Sequence, residues 1–230
     1  MATVLVTGAN RGIGLELVRQ CAARGDHVIA ACRDPAGAGE LAQLARDSNG
    51  RVEIHALDVT SDESVKALGT ATGRRSIDIL VNNAGIIGPG GTALQTDLGG
   101  FAQTLAVNTI APLRMAQAFA ENLRAATPPG KLATITSQMG SLATASLDRI
   151  AYRASKAAVN MAMQGVAAEM RSSGVAVILL HPGWVRTDMG GAGADISPQH
   201  SAAGILNQID RLALAETGCF LDYSGRRLPW

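Results

Sequence analysis

The chain has 230 residues, enough for one sizeable hydrophobic core and short for two. Its 20 Lys and Arg balance 19 Asp and Glu for a net charge of +1, which argues against a nucleic-acid or acidic-surface partner held by bulk electrostatics. Although 47% of the residues are hydrophobic, no apolar run reaches the ~18 residues of a membrane span, and three scattered cysteines form neither a disulfide framework nor a metal-ligand spacing. No metal site is expected. Met1 stands almost directly before the first apolar run, so no signal peptide is expected, and a reduced, cytoplasmic setting is.

Short apolar runs alternate with longer helical patterns along the chain. The runs Val4–Val6, His27–Cys32, Val52–Leu57, Ile77–Val81, Leu132–Thr136, Val175–Leu180 and Cys219–Leu221 read as buried strands. Between them, helices are predicted over Leu15–Arg24, Gly39–Ser48, Glu63–Thr72, Leu98–Leu123, Ile150–Ser172 and Pro198–Leu214. This alternation predicts a single α/β domain over residues 1–230, a Rossmann-like, doubly wound parallel sheet of about seven strands covered by helices on both faces. Ligands of such sheets bind beyond the carboxyl ends of the strands. That edge collects the glycine-rich stretch Gly8–Gly14, Arg33, Asp58, Asn82–Gly85, Ser137 and Pro182-Gly183-Trp184.

Gly8, Gly12 and Gly14 lie between the first strand and an amphipathic helix. In that setting glycines let the backbone turn tightly against a pyrophosphate, while the helix start offers free N–H groups. A purely structural glycine turn is the alternative. Tyr152 and Lys156 are four apart in a predicted helix and therefore share a face. A free phenol has a pKa of about 10; a nearby ammonium favours the phenolate and brings the group closer to working pH. Ser137 ends the fifth strand and offers a hydroxyl to a substrate oxygen. Alone, the Tyr–Lys pair could be an exposed helical pair; beside Ser137 and the glycine loop it predicts nicotinamide-dependent oxidoreductase chemistry.

Cofactor choice has its own signal. An acidic residue at the end of the second strand would grip ribose hydroxyls and repel a 2′-phosphate. Cys32-Arg33 stands there instead, Asp34 comes one position late, and Arg11 sits in the glycine loop. Two guanidinium groups clamp a phosphate well, so NADP(H) is expected over NAD(H).

These pieces resemble a classical short-chain dehydrogenase/reductase over essentially the whole chain: TGANRGIG at 7–14, LDV at 57–59, NNAG at 82–85, Asn108 in VNTIAPL, ITS at 135–137, YRASK at 152–156 and PGWVRTDM at 182–189. SQMGS at 137–141 and the ending FLDYSGRRLPW are most similar to the sniffer/C-factor-like carbonyl reductases. The resemblance implies that Tyr152 gives a proton to a carbonyl oxygen, that Lys156 binds the nicotinamide ribose and lowers the tyrosine pKa, and that Ser137 orients the carbonyl. It implies that Asn108 holds a water linking Lys156 to solvent; a polar kink in a long helix is the alternative. Gly8, Asn10, Arg11, Gly12, Ile13 and Gly14 would hold the cofactor's phosphates, with Arg33 at the 2′-phosphate. Asp58 would face the adenine with Val59 contributing backbone, unless Asp58 is simply a strand-end turn. Asn83, Ala84 and Gly85 would line the adenosine ribose side, and Pro182, Gly183, Val185 and Thr187 would meet the carboxamide end.

Ser137 and Tyr152 lie slightly further apart than in most of that family, which implies a small insertion around 144–149 and makes Ser141 a second candidate hydroxyl. The segment Asp188–Ser197 is short and rich in Gly and Ala, implying an open pocket. Gln138, Met139, Leu147, Trp184, Met189 and Ile196 are candidates for its walls, although Met139 and Ile196 could equally pack on protein alone. The implied function is NADPH-dependent reduction of an aldehyde or ketone, a small-molecule carbonyl, with an NADP(H)-binding regulatory or signalling protein as the alternative. A nucleotide-sugar epimerase or dehydratase fits the glycine spacing poorly. Helices corresponding to Leu98–Leu123 and Tyr152–Met170 often pair between subunits in that family, so a homodimer is expected, with no nucleic-acid or membrane partner.

Overall fold

The computed structural model describes all residues except Ala145 and Leu147; Leu147, one of the pocket-wall candidates, therefore lies outside the described residues. Seven strands form one wholly parallel sheet: β1 (Thr3–Thr7), β2 (His27–Cys32), β3 (Val52–Ala56), β4 (Ile79–Asn82), β5 (Lys131–Ile135), β6 (Ala176–His181) and β7 (Cys219–Asp222). Their order is β3-β2-β1-β4-β5-β6-β7. The order reverses between β1 and β4, where Val4 stands opposite both Val28 of β2 and Ile79 of β4, and a crevice opens beyond the strand ends at that point.

Helices cover both faces: α1 (Gly12–Ala23), α2 (Gly39–Asp47), α3 (Asp62–Thr72), α4 (Leu98–Leu105), α5 (Ala111–Ala118), α6 (Ala120–Arg124), α7 (Ile150–Met170) and α8 (Pro198–Arg211). Side chains of a strand point alternately to opposite faces, and here they feed two cores. Val4 and Val6 of β1 join Leu17, Val18 and Cys21 of α1 and Ile205 and Ile209 of α8. Leu5, between them, joins Val65 and Leu68 of α3, Met115 of α5 and Val159 and Met163 of α7. Both faces are apolar, which explains why the strands read as continuous apolar runs rather than alternating ones.

The expected single helix over Leu98–Leu123 is instead three helices. Between α4 and α5 the chain widens into a π turn over Ala106–Ile110, and Phe119 (φ −112°) separates α5 from α6. Pro112 stands in the first turn of α5. With no N–H, it has nothing to offer the Asn108 carbonyl four residues back, and the π turn accommodates that missing bond. A period-3.6 pattern cannot register this interruption, because the apolar positions continue through it. Other boundaries move by one to three residues; α1 begins at Gly12 rather than Leu15.

Phe119 is fully buried at that corner, in the same core as Leu123 and Met115. Phe119→Ala should destabilise the protein by about 3–5 kcal/mol through lost burial and a residual cavity, seen as a lower urea midpoint with an unchanged m-value.

Candidate active site

The ends of β1 and β4 are fastened by one hydroxyl. Thr7 Oγ1 accepts from the backbone N–H of Asn83 (3.0 Å) and of Ala84 (3.1 Å), and Asn83 Nδ2 donates back to the carbonyls of Thr7 (2.9 Å) and Gly8 (3.1 Å). Thr7 opens the glycine motif yet does not stand out in the sequence as a site residue; its role depends on a strand 75 residues away that only the topology brings alongside. The glycine loop packs so closely here that a Cβ on Gly14 would lie 2.2 Å from the Gly8 carbonyl oxygen and 2.5 Å from Asn83 Nδ2. Gly8 itself takes φ +65°, a left-handed conformation open to glycine. Helix α1, which begins at Gly12 directly after the glycine turn, has no side-chain cap at its N-cap Arg11. A helix start of this kind is fitted to a phosphate.

Ser137, Tyr152 and Lys156 converge at the end of β5. Ser137 Oγ accepts from Met139 N (3.1 Å), which fixes the hydroxyl at the head of a short 3-10 turn. That turn presses onto α7: a Cβ on Gly140 would lie 2.7 Å from the Lys156 carbonyl carbon. Tyr152, Lys156 and Ser137 are all buried, 9%, 5% and 6% exposed. Lys156 Nζ donates to the Ile135 carbonyl (2.8 Å) and stands 5.7 Å from the centre of the Tyr152 ring.

The electrostatics differ from the expectation of an ammonium-lowered phenol. Burial pushes the Tyr152 phenol up; the Ser137 hydroxyl beside it and then the Arg149 guanidinium oppose that rise. Burial also lowers Lys156 to about 8. Both groups are thus driven toward their neutral forms. The cation acting on the phenol is Arg149, which caps α7 in a left-handed conformation (φ 50°), a strained choice for a residue with a Cβ. Nothing in the sequence pattern singles it out.

Asn108 reaches the same place. Its Oδ1 accepts from Ile86 N (2.9 Å), while Nδ2 donates to the Ile86 carbonyl (2.8 Å) and to Ser155 Oγ (3.0 Å). Ser155, fully buried and absent from the predicted set, donates in turn to the Tyr152 carbonyl (2.7 Å). A Cβ on Gly85 would lie 3.3 Å from Asn108 Oδ1 and 3.8 Å from Lys156 Nζ, so these three residues enclose one small space. The Asn108 amide is thereby committed to the loop after β4 and to α7.

Elsewhere the sequence-derived candidates divide. Arg11 is not gathered with Arg33: it pairs with Asp188 (2.5 Å) across the mouth of the crevice, both side chains largely exposed. Thr187 closes on the same loop, 3.1 Å from a Cβ placed on Gly12. Arg33 is exposed, and its charge, with that of Arg114, contributes to holding the Asp58 carboxyl below the usual range, after hydrogen bonds from Thr60. Asp34 accepts from Gly37 N (3.1 Å) and serves the turn. Val59 is buried and its carbonyl accepts from Arg114 (3.0 Å). Ser141, the second candidate hydroxyl, donates to the Trp230 carbonyl (3.0 Å) and accepts from Ala143 N (3.2 Å); it fastens the C-terminal segment. Trp184 is half exposed, with Nε1 donating to the Gly190 carbonyl (2.8 Å), and Met189 lies exposed beside it. Ile196 packs on protein: its Cδ1 would lie 2.5 Å from a Cβ on Gly183, and it bridges to Val185. Gln138 and Met139 open instead onto a cavity of about 460 Å³.

Comparison with known proteins agrees with this geometry. A family model for short chain dehydrogenase matches residues 2–195. The chain is 40% identical over 168 residues to the C-signal protein of Myxococcus xanthus, covering 72% of this chain and 100% of that one. Among solved structures, the NADPH-bound carbonyl reductase from chicken fatty liver superposes with a TM-score of 0.94 at 35% identity, covering 100% of this chain and 99% of that one. The carbonyl reductase Sniffer of D. melanogaster superposes at 0.91 with 29% identity, over 100% of both chains.

The buried Lys156 carries a stability signature with a definite sign. Below about pH 8 the ammonium is charged in the folded and unfolded chain alike. Between about 8 and the ordinary 10.5 the unfolded chain holds a proton the folded one has lost, so folding becomes more favourable as pH rises. The stability of the wild type relative to Lys156→Met should therefore increase from pH 8 to 10 in urea unfolding; a flat difference would show an unperturbed lysine.

Proposed function

Because the chain belongs to the short-chain dehydrogenase family, we propose that it is an NADPH-dependent reductase of aldehydes and ketones, reversible as an alcohol dehydrogenase. The observation that supports this most directly is the placement of a buried, proton-retaining Tyr152 phenol beside the Ser137 hydroxyl, on the strand edge that also carries the glycine cradle. Gly8, Asn10, Gly12, Ile13 and Gly14 would hold the pyrophosphate, with Asn83, Ala84, Gly85, Asp58 and Val59 along the adenosine and Pro182, Gly183, Val185 and Thr187 at the nicotinamide end. Bound there, NADPH supplies the hydride.

The chain's own groups do the rest. Ser137 Oγ hydrogen-bonds the carbonyl oxygen and fixes its direction. Tyr152 hands that oxygen its proton as negative charge gathers on it; a phenol raised by burial holds the proton until the moment of need. Lys156, fixed by the Ile135 carbonyl, stands ready to bind the nicotinamide ribose and to receive replacement protons through water held at Asn108.

NADP(H) rather than NAD(H) is supported by Arg33 at the end of β2 and by the engagement of Asp34 in its own turn. The chicken carbonyl reductase of similar fold is described as NADPH-bound. Arg11 would reach a phosphate only by leaving Asp188. Exposed Leu98, Ile110 and Met161 on α4, the π turn and α7 support a homodimer through those elements, and three free, buried cysteines accord with work in the cytoplasm. The relation to the C-signal protein supports a second reading, an NADP(H)-binding signalling protein with little turnover.

Purified protein with NADPH and a panel of aldehydes, ketones and quinones should consume absorbance at 340 nm, and Tyr152→Phe should reduce kcat at least a hundredfold, the lower range for loss of a general acid, with NADPH binding kept. Tight NADPH binding with no turnover by the wild type favours the signalling reading. In a separate series, Arg33→Ser should raise KM for NADPH about tenfold and leave that for NADH nearly unchanged; equal effects on both would refute the 2′-phosphate assignment.

A further inference from the structure

We infer that the cavity beside Ser137 selects carbonyl substrates carrying a carboxylate, and that Arg226 and Arg227 are the residues that recognise it. The inference rests on the reductase reading and specifies its substrate class. The cavity of about 460 Å³ is lined by Gln138, Met139, Ser141, Arg153, Arg226 and Arg227, with Leu228 and Pro229 completing one wall. Its tie to the candidate site is Met139, which lines the cavity and whose backbone N–H donates to Ser137 Oγ (3.1 Å). Three guanidinium groups face it, and no acidic side chain lines it among the described residues.

The C-terminal segment reaches this place by doubling back. After β7, Leu221 and Arg227 form an antiparallel bridge, and Leu228 N donates to the Phe220 carbonyl (2.9 Å). The segment ends against the loop after β5: the Trp230 carbonyl accepts from Ser141 Oγ (3.0 Å) and Ala143 N (3.2 Å), and the Trp230 ring lies 5.3 Å from Phe220. Arg226 and Arg227 are thereby carried to the wall of this cavity on a fastened segment.

Acids stand behind these cations. Arg153 is held at all three nitrogens, which donate to the Asp148 carbonyl and carboxylate and to the Thr144 carbonyl. Arg226 gives Nε to Asp222 (3.0 Å) and Arg227 gives Nη2 to Glu216 (3.3 Å). Asp222 is buried and additionally accepts from Ser224 and from the Arg226 backbone, so it serves as a fixed anchor. Each of these two arginines keeps unbonded N–H groups among the described residues, and each side chain is 70% exposed. A guanidinium held at one nitrogen and free at the others is pre-oriented for a carboxylate. Neutral carbonyls would gain only the walls of Met139, Leu228 and Pro229.

The test is a series of ω-oxo acids of four to nine carbons against their methyl esters, with NADPH. Each pair differs by one charge and one methyl group, and the series scans the distance from carbonyl to carboxylate. At the length that spans the cavity, kcat/KM for the acid should exceed that for its ester about tenfold, chiefly through KM, the size of one charge-assisted hydrogen bond at a partly exposed site. In Arg226→Gln/Arg227→Gln that ratio should fall to about one, and 0.5 M NaCl should shrink it in the wild type. Esters reduced as well as or better than acids at every length would overturn the inference while leaving the reductase reading intact. An acid preference that survives in the double variant would overturn the assignment to these arginines. No turnover of either series, with NADPH bound, would remove both readings together.

Discussion

Burial of an ionisable pair at the end of β5 is the constraint on which the rest of the site depends. Tyr152 and Lys156 are enclosed by the 3-10 turn after β5, the loop after β4 and the π turn, and their surroundings penalise charge on either. A site organised this way rests with the phenol protonated, the form that gives a proton to a reduced carbonyl. In reverse the same phenol would have to ionise, and the available help comes from the Ser137 hydroxyl and Arg149. A cofactor carrying charge and ribose hydroxyls would change that balance, because the Lys156 ammonium, bonded here to the Ile135 carbonyl, would gain further acceptors.

Keeping that pair in place falls to uncharged groups. Asn108 joins the loop after β4 to α7 through Ile86 and Ser155, and Thr109 Oγ1 donates to the Ser155 carbonyl (2.8 Å). Thr136 Oγ1 donates to Asn160 Oδ1 (2.7 Å), fastening the end of β5 to the same helix. A buried polar network of this kind rigidifies through its satisfied members, although Asn160 Nδ2 is buried without a partner. Here the π turn is part of the device. Pro112 removes one helical hydrogen bond, and the widened turn lets Asn108 direct its amide inward while its carbonyl is released from the α-helical ladder. Such single-turn departures recur at functional sites.

Much of this was legible in the residues. Strand positions, the parallel sheet and the convergence of six loops on one edge follow from apolar runs separated by helical periods, because both faces of the sheet are buried. Gly8–Gly14, Ser137, Tyr152 and Lys156 stand out by residue type and spacing, and Asn108 through the family resemblance. What stayed hidden depends on distance in space. Thr7 is one more hydroxyl until β4 lies beside β1; Ser155 is one more small residue in a helix until Asn108 points at it. The π turn had a visible trace in Pro112, four residues after Asn108, but apolar periodicity runs through it unbroken. The sign of the Tyr152 shift was misread for a related reason. Helical spacing places Lys156 on the tyrosine's face, yet it cannot show that burial outweighs the ammonium, nor that the ammonium is turned toward a strand carbonyl.

The arginines show most clearly how placement, rather than composition, decides function. A net charge of +1 conceals three distinct cationic positions around one crevice. Arg33 stands exposed at the end of β2, free to meet a phosphate. Arg11 is held by Asp188 across the crevice mouth; an exposed pair of this kind contributes roughly 0–1 kcal/mol, so a bound phosphate competes for it at little cost, and the pair serves better as a reversible closure than as a brace. Arg226 and Arg227 come from the far end of the chain to the cavity lined by Gln138 and Met139, each oriented by an acid. Balanced pairing keeps the overall charge near zero, and acids stand beside most of these cations: Asp188 at Arg11, Asp222 at Arg226 and Glu216 at Arg227. A polar carbonyl and its anionic cofactor would meet cationic side chains near the site and a buried, protonated phenol where the proton moves.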